Sequence, residues 1–162
     1  MAIFVADEQQ AVPVDLDRLR RLAEHVCALE GVPPAMEVNV LCVDRDAIAE
    51  LNERHMGARG PTDVLAFPLD LPGETPADTP AILGDVVICP EVARKQAPDH
   101  GKTTAAELDL LCVHGLLHLL GHDHADPDER AEMFGLTDRL LAPFPEVTPC
   151  PGARSGRSSR SR

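Results

Sequence analysis

One stretch constrains this chain more than any other: T-A-A-E-L-D-L-L-C-V-H-G-L-L-H-L-L-G-H-D-H, from Thr104 to His124. Thr104-x-x-Glu107 has the form of a capping box. The helix it opens is expected to run to Leu120, with Gly121 ending it. His114 and His118 stand four residues apart on that helix. Four residues turn an α-helix by about 400°, so the two imidazoles share a face and can grip one ion. Gly121 permits a left-handed bend, and the turn can bring His124 back toward the same point. Three neutral imidazoles hold a divalent ion and leave a coordination position for water. That is the open arrangement of catalytic zinc, whereas structural zinc is usually closed by four protein ligands. The expectation is one zinc ion per chain, at the end of a helix, on His114, His118 and His124.

The spacing is that of the metzincin proteases, H-E-x-x-H-x-x-G-x-x-H. In those enzymes the Glu after the first His is the general base. Here Gly115 takes its place, so the ligand pattern survives without the proteolytic base. His122 is an alternative third ligand, but the register selects His124 and leaves His122 as an exposed turn residue. Asp123 reads as a turn or cap residue, or as an acceptor for a ligand N–H. Glu107 reads as part of the cap, although its helical face also suits orienting an imidazole. Cys112 lies two residues before His114 and so faces the other side of the helix.

Elsewhere the periodicities alternate between strand and helix. Strands are expected at Ile3–Ala6 (an edge), Met36–Val43, Val64–Phe67 and Ile82–Cys89. Helices are expected at Asp15–Glu30, Asp44–Glu53, Pro90–Ala97 and Pro127–Leu141, in addition to the histidine helix. Met56–Pro61 and Leu69–Pro80 read as loops, the second long and mobile. The economical fold is α/β (α+β): a small four-stranded mixed sheet packed with about five helices. Residues 1–142 form one domain on this reading, and residues 143–162, rich in Pro, Gly, Ser and Arg, a disordered tail.

Composition narrows the function. The net charge is -12, and residues 1–150 carry 11 basic against 27 acidic side chains. Such a body repels nucleic acid unless a local basic patch or a metal offsets it. With no Trp, no Tyr and four Phe, the RNA-binding modules that stack bases on aromatic platforms are excluded. The five cysteines are odd in number and none is spaced C-x-x-C, which argues for free thiols in a reducing compartment. The first ten residues hold Asp7 and Glu8 and no basic side chain, unlike a signal peptide, and no apolar run is long enough for a membrane span. A cytoplasmic location without membrane partners is expected.

Three segments together resemble the bacterial endoribonuclease YbeY family. They are Glu107–His124, G-P-T-D-V-L-A-F-P from Gly60 to Pro68, and G-D-V-V-I-C-P-E-V-A from Gly84 to Ala93. The resemblance spans roughly residues 36–141 and implies a metal-dependent, single-strand-specific endoribonuclease. It implies action in 16S rRNA 3′-end maturation and ribosome quality control, with rRNA and the ribosome or its proteins as partners and no role for DNA. It also implies zinc on His114, His118 and His124. Many members carry an Arg in the loop before the T-D/N-V-L strand, where Met56 falls here. Arg59, in the same loop, is the candidate substrate-binding replacement, with Arg54 another possibility. The general base is left unassigned.

Overall fold

The structure is a computed structural model that describes residues 2–74, 79–122 and 127–142. Its sheet contains β1 (Ala2–Asp7), β2 (Met36–Cys42), β3 (Val64–Pro68) and β4 (Ala81–Ile88) in the order β1-β2-β4-β3. β1, β2 and β4 are mutually parallel, and β3 runs antiparallel to β4 on the outside. Among the described residues, five α-helices pack with it: α1 (Leu16–Leu29), α2 (Arg45–Leu51), α3 (Pro90–Gln96), α4 (Thr104–Leu119) and α5 (Pro127–Leu141). This is the expected four-stranded mixed α/β architecture, with β1 at the expected edge.

Alternation in β2 fixes which face carries the core. Met36, Val38, Val40 and Cys42 are buried, and they join Leu19, Leu22 and Val26 of α1 and Leu116, Leu117 and Leu119 of α4 in the main cluster. A smaller cluster on the other face joins Val87 and Leu65 to Ile48 of α2 and Val92 of α3. α1 starts as its sequence requires, with the Asp15 side chain accepting a hydrogen bond from Arg18 N–H. Arg18 and Asp109 then tie α1 to α4 by a buried pair 2.7 Å apart.

Two glycines let α4 lie unusually close to β4. A Cβ on Gly115 would stand 2.5 Å from Cγ1 of Val86. One on Gly84 would collide with the Phe67 carbonyl and lie 2.7 Å from Cδ2 of Leu119. Gly84 sits at a slip in the β2–β4 register, where Val38 pairs with Gly84 directly after Glu37 pairs with Ile82. Its φ of 151° is one that L side chains rarely adopt.

Three local expectations are corrected. The cap of α4 is Thr103, not Thr104: its Oγ1 accepts from Ala106 N–H at 3.1 Å. Glu107 is therefore no cap partner, and its carboxylate turns inward. α2 does not give way to a loop at Met56, because a π-helical turn, Asn52–Met56, continues it to Gly57. Buried Asn52 explains the widening: its side chain donates to the Gly60 carbonyl at 3.0 Å, while its own carbonyl accepts from Gly57 N–H. Finally, Leu69 and Asp70 donate to the carbonyls of Leu83 and Ile82, so the first residues of the expected Leu69–Pro80 loop extend the β3–β4 hairpin. The tail expected at 143–162 lies outside the described residues.

Candidate metal centre and its cleft

α4 is buried on nearly every side. Between Leu111 and Leu119 only His114 and His118 have partly exposed side chains. Both open onto a cleft of about 480 Å³, whose other wall is formed by Met56, Thr62, Asp63, Val64, Leu65, Ala66 and Pro68. The histidines are thus one turn apart on one face, as the spacing requires, and β3 runs alongside them.

The end of α4 is a Schellman turn. Gly121, at φ 96°, donates to the His118 carbonyl, and His122 N–H reaches the Leu117 carbonyl. This turn reverses the chain directly after His118. His122 is not an exposed turn residue as expected: it is partly buried, with Nε2 3.4 Å from Glu30 Oε1, and it does not line the cleft. His124 and Asp123 lie outside the described residues. Among the described residues no group of three His, Cys, Asp or Glu side chains forms a metal cage. Two imidazoles presented together on one helical face nevertheless fit the donor chemistry of zinc.

Two carboxylates share a cleft lining with His114: Glu107, which the sequence offered as a cap or imidazole-orienting group, and Asp63, which it did not single out. Glu107 is fully buried, and accepts from Gln96 Nε2 at 2.9 Å and faces His100 Nδ1 at 3.0 Å. Gln96 Nε2 also donates to Asp63 Oδ2 at 2.9 Å. Asp63 and His114 line both the main cleft and a second one of about 380 Å³, which Lys102, His100 and Glu107 also line. Glu107 does engage an imidazole, that of His100. The signal for Asp63 was its place in G-P-T-D-V-L-A-F-P; Gln96 and His100 gave none.

Arg59 is exposed, in the loop that Asn52 closes, and is absent from the cleft lining, whereas Met56 is part of it. Arg54 is paired with Glu50. Cys27, Cys42, Cys89 and Cys112 are free and buried, and burial pushes the Cys27 thiol up to about 11 and the Cys42 thiol up to about 12. They belong to the core, not to the cleft. No helix among the described residues is long and apolar enough to cross a membrane.

Fold and cleft together define an α/β domain with a paired-histidine helix laid against a sheet-edge strand. A family profile described as Endoribonuclease YbeY matches residues 4–145. The chain is 51% identical to the Endoribonuclease YbeY of Salinispora tropica over the full length of both. It is 52% identical to that of Thermobifida fusca over 147 residues, 88% of this chain and 93% of the relative. A solution structure of a Thermotoga maritima protein aligns with a TM-score of 0.58 and 27% identity, covering 94% of this chain and 99% of that one. The chain belongs to the YbeY family.

Proposed function

We propose that the protein is a zinc-dependent, single-strand-specific endoribonuclease of the cytoplasm that acts in 16S rRNA 3′-end maturation and ribosome quality control. The observation that carries this reading is the His114–His118 pair, the accessible part of the otherwise buried stretch Leu111–Leu119, facing a cleft in a chain whose relatives are named endoribonucleases. His114, His118 and His124 are the proposed ligands. Zinc, when bound, supplies a Lewis acid for a phosphate oxygen and lowers the pKa of a bound water.

The chain's own residues set the frame for that chemistry. α4, held against β4 by Gly115 and Gly84, fixes the two imidazoles beside β3. Asp63, fixed through Gln96 to Glu107, stands at the boundary between the two clefts. Arg59 is proposed to meet substrate outside the cleft lining. Peptide hydrolysis by the metzincin route is disfavoured more strongly than the lack of a base implies, because Val86 leaves no space for a side chain at Gly115.

A second reading, a noncatalytic metal-bearing ribosome-assembly protein, is favoured by one observation. Met56 lines the cleft at the loop position where the family resemblance implies an arginine, and Arg59 does not line it. Incubation of the purified protein with labelled single-stranded RNA separates the readings. Cleavage that stops on chelation and returns with zinc supports the nuclease; bound zinc without turnover, on a range of RNAs, supports the assembly protein. Turnover of an unfolded peptide instead supports the peptidase.

A further inference from the structure

β3 is an outer strand, so half of its backbone groups face away from the sheet. The ladder shows which half. Cys89 N–H donates to the Asp63 carbonyl at 2.9 Å, and Leu69 N–H to the Leu83 carbonyl at 3.0 Å. With Val64 opposite Ile88 and Pro68 opposite Gly84, these bonds fall on alternate pairs of an antiparallel ladder. Residues 63, 65, 67 and 69 therefore turn their N–H and C=O groups toward β4. Ile88 agrees, since its carbonyl accepts from Val43 on the opposite side. Val64, Ala66 and Pro68 turn theirs to the free edge, and all three line the histidine cleft.

That edge is unequal in donors and acceptors. The Val64 N–H is already taken by Asp63 Oδ1 at 2.8 Å, and Pro68 has no N–H. Among the described residues, what remains is three carbonyl acceptors, on Val64, Ala66 and Pro68, and one donor, Ala66 N–H. An extended peptide adds to a sheet edge by matching donors with acceptors along its length, and only Ala66 offers both. Phosphate oxygens, being acceptors, find little here either. Ribose 2′-hydroxyls are donors spaced along a single strand, and they distinguish RNA from DNA.

We infer that the outer edge of β3 is the ribose-reading wall of the cleft: the carbonyls of Val64, Ala66 and Pro68 accept hydrogen bonds from 2′-hydroxyls of nucleotides flanking the cut. Ala66 lies opposite Val86, the residue under Gly115, so this wall is level with the turn of α4 that carries His114 and His118. The inference rests on the endoribonuclease reading and adds to it the basis for choosing RNA over DNA. It makes use of backbone atoms, which explains how a strongly acidic chain with few aromatics can hold a single strand beside its metal site.

The test alters the substrate, so folding of the protein is not at issue. The full-length, zinc-supplemented protein is given a labelled single-stranded RNA and its cut position mapped. Substrates are then made with one ribose at a time changed to 2′-deoxy, 2′-fluoro or 2′-O-methyl on either side of the cut, leaving the nucleotide at the cut unmodified. At one or more flanking positions, all three changes should lower kcat/KM by roughly five- to tenfold, the effect of losing one donated hydrogen bond. Equal activity on all flanking-modified substrates overturns the inference and leaves the nuclease reading standing. So does a loss confined to 2′-O-methyl, which reports bulk, or retention by 2′-fluoro and 2′-O-methyl, which reports an accepting hydroxyl. Failure to cut the all-ribose strand, with cleavage of an unfolded peptide, overturns both.

Discussion

Replacing Gly115 by Ala sets two effects of known sign against each other. In an unencumbered helix interior, Gly→Ala stabilises by roughly 1 kcal/mol, because Gly gives up more backbone freedom on folding. Here the added methyl would lie 2.5 Å from Val86 Cγ1, 3.1 Å from Cγ2 and 3.3 Å from Cβ. Carbon atoms prefer about 3.5–4.0 Å, so the overlap is on the order of 1 Å. Val86 is fully buried in the middle of β4 and is β-branched, so it has little freedom to withdraw. Overpacking of this kind costs about 1–3 kcal/mol, and the steric effect should win. G115A is expected to be about 1–2 kcal/mol less stable than wild type, a fall in Tm of about 3–6 °C for a chain of this size. Urea unfolding followed by circular dichroism measures it. V86A should reverse the sign: in that background G115A should be neutral or stabilising, giving a coupling of about 2 kcal/mol in a double-mutant cycle. A single G115A variant as stable as wild type, or a cycle without coupling, would refute the close packing of α4 on β4.

Other features of the fold can be tested in the same way. Arg18→Met leaves Asp109 as a buried carboxylate without its guanidinium, and should cost about 3 kcal/mol in urea unfolding; adding Asp109→Leu should recover most of the loss. The buried thiols of Cys27, Cys42, Cys89 and Cys112 should resist a thiol reagent in the native protein at pH 8 and all react once unfolded. Since the folded pKa values of Cys27 and Cys42 are raised to about 11 and about 12 from 9.0, the unfolded chain loses those protons first. Stability should therefore be unaffected by these thiols below pH 9 and should fall as pH rises from 9 through 11 to 12, which thermal melts across that range will show.

The periodic parts of the fold were legible because their patterns come from burial on one face. α1 and β2 repeat apolar residues at helical and strand spacing, and both bury those positions. The histidine pair was legible for the same geometric reason. What escaped depends on contacts between distant residues. The π-helical turn exists because Asn52 reaches Gly60, and nothing in the residues from 52 to 56 states that partner. Thr103 and Thr104 are adjacent, and only the bond to Ala106 distinguishes the cap. T-x-x-E matched a capping box, yet Glu107 is held inward by Gln96 and His100, which come from the preceding helix and the turn after it. Gly115 stood out in the sequence as the absence of a base; its packing reason, Val86, is 29 positions away.

Zinc content and RNA cleavage measured together on single-histidine variants test the central claim most directly. Wild type should carry about one zinc per chain and cut a labelled single-stranded RNA. His114→Ala, His118→Ala and His124→Ala should each lose metal, stability and cleavage together, because metal binding is coupled to folding. His122→Ala, which loses its contact with Glu30 at the end of α1, should keep both zinc and activity. Cleavage by His118→Ala at the wild-type rate, or loss of zinc from His122→Ala with none from His124→Ala, would contradict the account.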